Sequence, residues 1–258
     1  MNKKVLICNG IGNRINQILN YADELDKITF VWSEVDYAYD TINGMDCGAS
    51  WEDLFSFPKL NIIYDDSIID KDSFHDPSSH KFRSGNFFEY EHDKSKLKAA
   101  QQFIKSLVPS KQVAKLIPNI PEGTCGYAIR HFHTVTFHKV KVPNGSFLTT
   151  DSEEQRLFSP KTIQTRGVGG KGDKCINILG KQGVIRAIAD WFCLFKCEKI
   201  IEIGPPFVSL GHKKSKNKTL YHSKKKINVK GHSTFIDAHR ILGYKVFNLS
   251  NKSDNEES

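Results

Sequence analysis

Short apolar runs alternate with stretches of helical periodicity along most of this chain, and the alternation stops and restarts once near the middle. Residues 3–8 read as a buried strand. From Arg14 onward, Ile15, Ile18, Leu19, Ala22 and Leu25 fall on one helical face. Residues 28–32 and 60–64 read as two further strands. Strands separated by helices favour parallel pairing through crossover connections. Residues 65–92 are polar and loop-like, and residues 94–107 carry a helical pattern. Val108-Pro109-Ser110 and the Pro-rich stretch 117–123 then break the periodicity, which is where a domain junction is expected.

The second half repeats the scheme. Residues 126–130 and 146–150 read as strands, the latter running into Asp151-Ser152 and then Glu153 and Glu154. Asp151 or Ser152 is expected to cap a helix whose acidic first turn suits the helix dipole. A helix over 183–196, a strand over 199–203, a helix over 234–242, a stop at Gly243 and a strand over 244–249 complete the pattern. The expected architecture is α/β, with two Rossmann-like halves facing a cleft. The expected domains are residues 1–118 and 119–250, followed by a disordered tail at 251–258.

With 258 residues, 39% of them hydrophobic, the chain is long enough to bury a substantial core. Its formal charge of +8 favours anionic partners without choosing among nucleotide phosphates, acidic glycans, nucleic acid and anionic membrane. The six cysteines are scattered without CxxC pairs, which argues against structural zinc or a disulfide framework. Cys193 and Cys197, four apart in a helical pattern, are expected to pack as small apolar side chains. Behind Lys3-Lys4 the apolar run is too short for a signal peptide, and no apolar stretch approaches membrane-spanning length. A cytoplasmic protein is expected. Seven lysines between residues 212 and 226 read as a solvated loop, or more sharply as a weak contact with an anionic membrane surface.

Three clusters carry candidate chemistry. The first is Gly10-Ile11-Gly12-Asn13, a turn after the opening strand. Glycines there let the backbone approach a ligand, while helix N–H groups face an anion or sugar. The second is Arg130-His131 at the end of a strand, where open α/β sheets bind ligands. The planar fork of an arginine matches a phosphate with two parallel hydrogen bonds. His133 and His138 follow, but no carboxylate accompanies them, so no metal site is expected. The third is Asp190, in a largely apolar helix where a carboxylate is expensive without a partner, followed by Phe207 and Ser209 after a Gly-Pro-Pro loop.

In their order and spacing, these clusters resemble the fucosyltransferase superfamily that includes nodulation-factor and protein O-fucosyltransferases. That family has the two-domain GT-B arrangement and transfers fucose from GDP-fucose with inversion and without a metal. The G-x-G-N turn of the family is matched by Gly10, Gly12 and Asn13. Its phosphate-binding arginine is matched by Arg130, with His131 giving an Arg-His version. Asp190 and Phe207 fall on the guanine-reading aspartate and the aromatic. Residues 147–155, which contain Asp151 and Ser152, resemble the family's strand-then-ATDS element. The chain departs from the family at Ala128, where a histidine helps hold the base, and at Pro205-Pro206, where hydroxyl residues contact the β-phosphate. Ser209 or a backbone N–H would have to substitute there.

The resemblance implies a metal-independent inverting glycosyltransferase that takes a nucleotide-sugar donor, GDP-fucose first, and a glycan or other hydroxyl acceptor. Arg130 and Asn13 would act in catalysis. Gly10, Gly12, Arg130, His131, Asp151, Ser152, Asp190, Phe207 and Ser209 would bind the donor, with no cofactor. Asp151, His133 or an acidic residue in the 65–91 segment would be the general base, if one is needed. A different nucleotide-sugar, binding without turnover, and nucleic-acid binding are the competing readings. The last lacks any recognised DNA or RNA motif.

Overall fold

The computed structural model describes residues 3–7, 11–32, 48–64, 93–129, 140–165, 180–203 and 234–248. Strand β1 (Lys3–Ile7) leads into helix α1 (Ile11–Leu19), and β2 (Ile28–Trp32) pairs parallel to β1 with Lys3 opposite Ile28 and Ile7 opposite Trp32. The strand expected at 60–64 is the short β4 (Ile62–Ile63), parallel to β2, so this sheet runs β1-β2-β4. Its middle strand is buried at every position and apolar at all but one. Near-continuous apolar runs are what a strand covered on both faces requires.

Three local expectations are corrected. Helix α1 begins at Ile11, not Arg14, so Gly12 and Asn13 lie inside its first turn. It also ends at Leu19, and Leu25 opens a separate 3-10 turn instead of the last helical turn. The Val108-Pro109-Ser110 break is structured: β5 (Val108–Pro109) pairs antiparallel with β3 (Phe55–Phe57). Each is preceded or followed by a short capped helix. In α2 (Trp51–Leu54), Ser50 and Asp53 form a reciprocal capping box; in α4 (Lys111–Ala114), Ser110 Oγ accepts from Val113 N. Between them runs α3 (Lys94–Ser106), capped by Asp93.

The second sheet is four-stranded and entirely parallel, in the order β7-β6-β8-β9. Its strands are β6 (Cys125–Ile129), β7 (Phe147–Thr150), β8 (Lys199–Ile203) and β9 (Val246–Asn248). Helix α5 (Glu153–Phe158) follows β7, and Ser152 caps it by accepting from Gln155 N. Helix α6 (Gly180–Leu194) precedes β8, starting three residues before its expected onset. Helix α7 (Asp237–Ile241) precedes β9 and is terminated by Gly243 at φ +83°. Gly126 in β6 is required by close packing. A Cβ there would lie 2.8 Å from Leu194 Cδ2 and 3.0 Å from Cys197 Sγ. Cys193 and Cys197 are buried free thiols in the same contact region.

The two sheets fall on opposite sides of residue 118 in sequence, yet one buried apolar cluster includes residues from both. Ile18, Phe30, Trp51 and Phe103 belong to it, as do Ile188, Trp191 and Phe235. Phe55 meets Trp191 edge-on at 6.4 Å. Polar ties join the same halves: Asn16 Nδ2 donates to Asp237 Oδ2 at 2.8 Å, and Lys181 pairs with Asp53 at 2.6 Å.

His239 on α7 is fully buried. Its Nε2–H donates to Trp191 O at 3.1 Å, and its ring stacks on Phe195 at 3.9 Å. Burial pushes its pKa down from 6.5 to about 3. The native protein therefore holds it neutral while the unfolded chain takes a proton below pH 6.5. Stability from this group is complete above that pH and is lost as pH falls toward 3, by up to ~1.4 kcal/mol per pH unit. Asp237 acts in the opposite sense, because burial raises its carboxyl pKa. Urea unfolding of His239→Phe between pH 7 and 4 should show a flatter pH dependence than the parent. An unchanged slope would assign the acid sensitivity to other groups.

Candidate functional site

Parallel α/β sheets bind ligands beyond the carboxyl ends of their strands, so the site is built outward from those ends. In the first sheet, β1 ends at Ile7 and α1 begins four residues later. Gly12 is buried and Asn13 half-buried there. Arg14, next in line, is fully buried: Nη1 donates to Ile7 O at 3.1 Å, and the guanidinium lies 4.8 Å from the centre of the Trp32 ring. It thus ties the ends of β1 and β2 together beneath Asn13. Its role was readable from spacing, since Arg14 sits three after Ile11 and four before Ile18 on the apolar face.

In the second sheet β6 ends at Ile129, immediately before Arg130 in sequence, and β7 ends at Thr150. Asp151 and Ser152 are buried at that end. Ser152 Oγ is engaged by Gln155 N as the cap, and Ser152 N donates to Thr150 Oγ1. Gln155 grips the backbone of Val140, donating to its O at 2.8 Å and accepting from its N at 2.9 Å.

Asp190 is the centre of the described site. It projects from α6, fully buried, and both carboxylate oxygens are occupied. Oδ1 accepts from Thr165 Oγ1 at 2.6 Å; Oδ2 accepts from Thr149 Oγ1 at 2.9 Å and from Arg156 Nη2 at 2.8 Å. Arg156 Nη2 also reaches Thr150 O at 3.2 Å. Arg186, one helical turn before Asp190, approaches the same cluster through Nε at 3.4 Å from Thr165 Oγ1. The expense of a buried carboxylate is therefore met inside the protein, by a buried ion pair and two hydroxyls. Arg156 and Arg186 were missed as site residues. An Arg and an Asp four apart in the run Val184–Asp190 were the available signal for Arg186; Arg156 had none, because its pairing with Asp190 is purely tertiary.

The structure brings Asp151, Ser152 and Asp190 to one strand end, and Gly12 and Asn13 to another. Gly10, Arg130, His131, Phe207 and Ser209 lie outside the described residues, as do His133 and the 65–91 segment. Among the described residues, no cluster of three or more His, Cys, Asp or Glu side chains is arranged to hold a metal, and no helix is long and apolar enough to cross a membrane. A groove of about 310 Å³, lined by Lys141, Phe158 and Lys161 among others, lies beside the segment entering β7. It therefore belongs to the opposite strand edge.

No family model and no curated protein matches the chain.

Proposed function

We propose that this protein is a metal-independent, inverting glycosyltransferase that moves a sugar from a nucleotide donor to a hydroxyl acceptor, with GDP-fucose the first donor to test. The observation that carries the reading is the shared strand edge. Asp151 and Ser152 follow β7, and Arg130 is the residue after the neighbouring parallel strand β6. This is where the resemblance needs a diphosphate and its cation.

In this reading the two sheets are the cores of two Rossmann-like halves of a compact GT-B arrangement, with Gly12 and Asn13 on the acceptor side. Arg130 neutralises the departing diphosphate. Sugar transfer runs through an oxocarbenium-like state, and a fixed cation stabilises charge that grows on the leaving group at that point. Asp190 is fully buried and its carboxylate already accepts from three internal donors, so the preference for guanine is supported by the resemblance alone. The reading is of a peripheral or cytoplasmic enzyme whose partners are the donor and a glycan-type acceptor.

A panel of nucleotide-sugars, scored by thermal shift in EDTA, tests it. GDP and GDP-fucose should raise Tm, by an amount that grows with the logarithm of concentration over Kd. UDP- and CMP-sugars should do so less. A response that vanishes in EDTA and returns with manganese would remove the metal-independent assignment; a response to no nucleotide would remove the reading itself.

A further inference from the structure

Two arginines are buried side by side at the carboxyl edge of β7, and the described residues do not supply acceptors for all of their donors. Arg156 is 3% exposed and Arg186 5%. Arg156 Nη2 is engaged by Asp190 and Thr150 O. Its Nε and Nη1, and Nη1 of Arg186, are buried with no hydrogen-bond partner among the described residues. Buried donors are almost always paired, and each exception calls for a physical explanation. Asp190 does not supply it: its oxygens accept from Thr165, Thr149 and Arg156 Nη2, and none of the three unpaired donors bonds to them.

The charges point the same way. Burial and the neighbouring Arg156 both press Arg186 toward its neutral form, while Asp190 and Glu153 favour its charged form. Glu153 Oε2 is itself buried without a hydrogen-bond partner among the described residues. The unmatched set is thus rich in cationic donors and includes one acceptor. A group that presents several anionic oxygens and one hydroxyl complements it: a phosphate, either hydroxylated itself or attached to a sugar.

We propose that Arg156 and Arg186, with Thr165 and Glu153 beside them, form a buried binding site for a phosphate-type oxyanion. The guanidinium donors take the anionic oxygens, and Glu153 accepts from the ligand's hydroxyl. Asp190 orients Arg156 so that Nε and Nη1 face the ligand. The site rests on Arg156 and Arg186 and does not depend on glycosyl transfer. Inorganic phosphate would bind it whether or not a nucleotide-sugar is turned over.

Thermal shift of the full chain with inorganic phosphate, GDP and guanosine, at matched ionic strength, tests the site and its source. A rise that grows with the logarithm of ligand concentration is expected with phosphate and GDP, and none with guanosine. Equal affinities identify the free anion as the ligand, and much tighter GDP binding identifies a nucleotide phosphate. Arg186→Met should abolish the rise with inorganic phosphate, yet leave the ligand-free protein at least as stable as the parent, because an apolar side chain replaces an incompletely paired buried charge. Arg186→Lys, which keeps charge without the planar fork, should bind phosphate roughly tenfold to a hundredfold more weakly. No concentration-dependent rise with phosphate in the parent overturns the proposal. So does a phosphate response that survives Arg186→Met, and so does an Arg186→Lys protein that binds phosphate like the parent.

Discussion

Asp190→Ala is expected to destabilise the folded protein by about 3–5 kcal/mol, the cost of removing one partner from a buried ion pair. That is a large part of the 5–15 kcal/mol or so that holds a typical domain together. The size follows from geometry: Asp190 is fully buried and serves Arg156, Thr149 and Thr165 at once, so its loss leaves a buried guanidinium and two hydroxyls without their acceptor. Replacing both members of the pair, as Asp190→Leu with Arg156→Met, should recover much of the loss, because paired apolar side chains avoid the desolvation of both charges. Urea unfolding of the two variants measures this. A loss below about 1 kcal/mol in Asp190→Ala would mean that water reaches the carboxylate.

The same residue shows what the sequence could and could not reveal. A lone Asp in the apolar run before Trp191 signals that a partner is needed, but not which one; Arg156 lies on another helix, 34 positions away. Strands β2 and β8 appear at the positions expected because β-branched and aromatic residues dominate each short run, Ile28–Trp32 and Lys199–Ile203. The cap at Ser152 and the stop at Gly243 were legible because they depend on single side chains and a local backbone state. The Phe55–Phe57 and Val108–Pro109 ribbon was not. Its strands are too short to show a period, and they are defined only by pairing with each other across about fifty residues of chain. Helix α1 was expected to start late because Gly10-Ile11-Gly12-Asn13 read as a turn; in the structure Ile11 and Ile15 are buried on the helix, and residues 11–13 belong to its first turn.

The largest expected effect on activity belongs to Arg130. If its guanidinium grips the leaving diphosphate, Arg130→Ala should lower turnover by roughly a hundredfold or more, about 3–4 kcal/mol of transition-state stabilisation. Arg130→Lys keeps the charge but loses the two-point contact, so it should fall much closer to the alanine variant than to the parent. Both variants are expected to remain folded, with the thermal unfolding of the parent as the check, since the role assigned to Arg130 is contact with the donor and not packing. A folded alanine variant that transfers sugar near the parental rate would remove Arg130 from the mechanism.

The central claim is glycosyl transfer without a metal, and it is tested most directly by following GDP-fucose in EDTA with the purified full chain. Proton NMR reports both the release of GDP and the anomeric configuration of the transferred or hydrolysed fucose. The account predicts GDP release in EDTA, a product of inverted configuration, and loss of both in Arg130→Ala. Retention of configuration, an absolute requirement for a divalent metal, or no release from any nucleotide-sugar in the panel would contradict it.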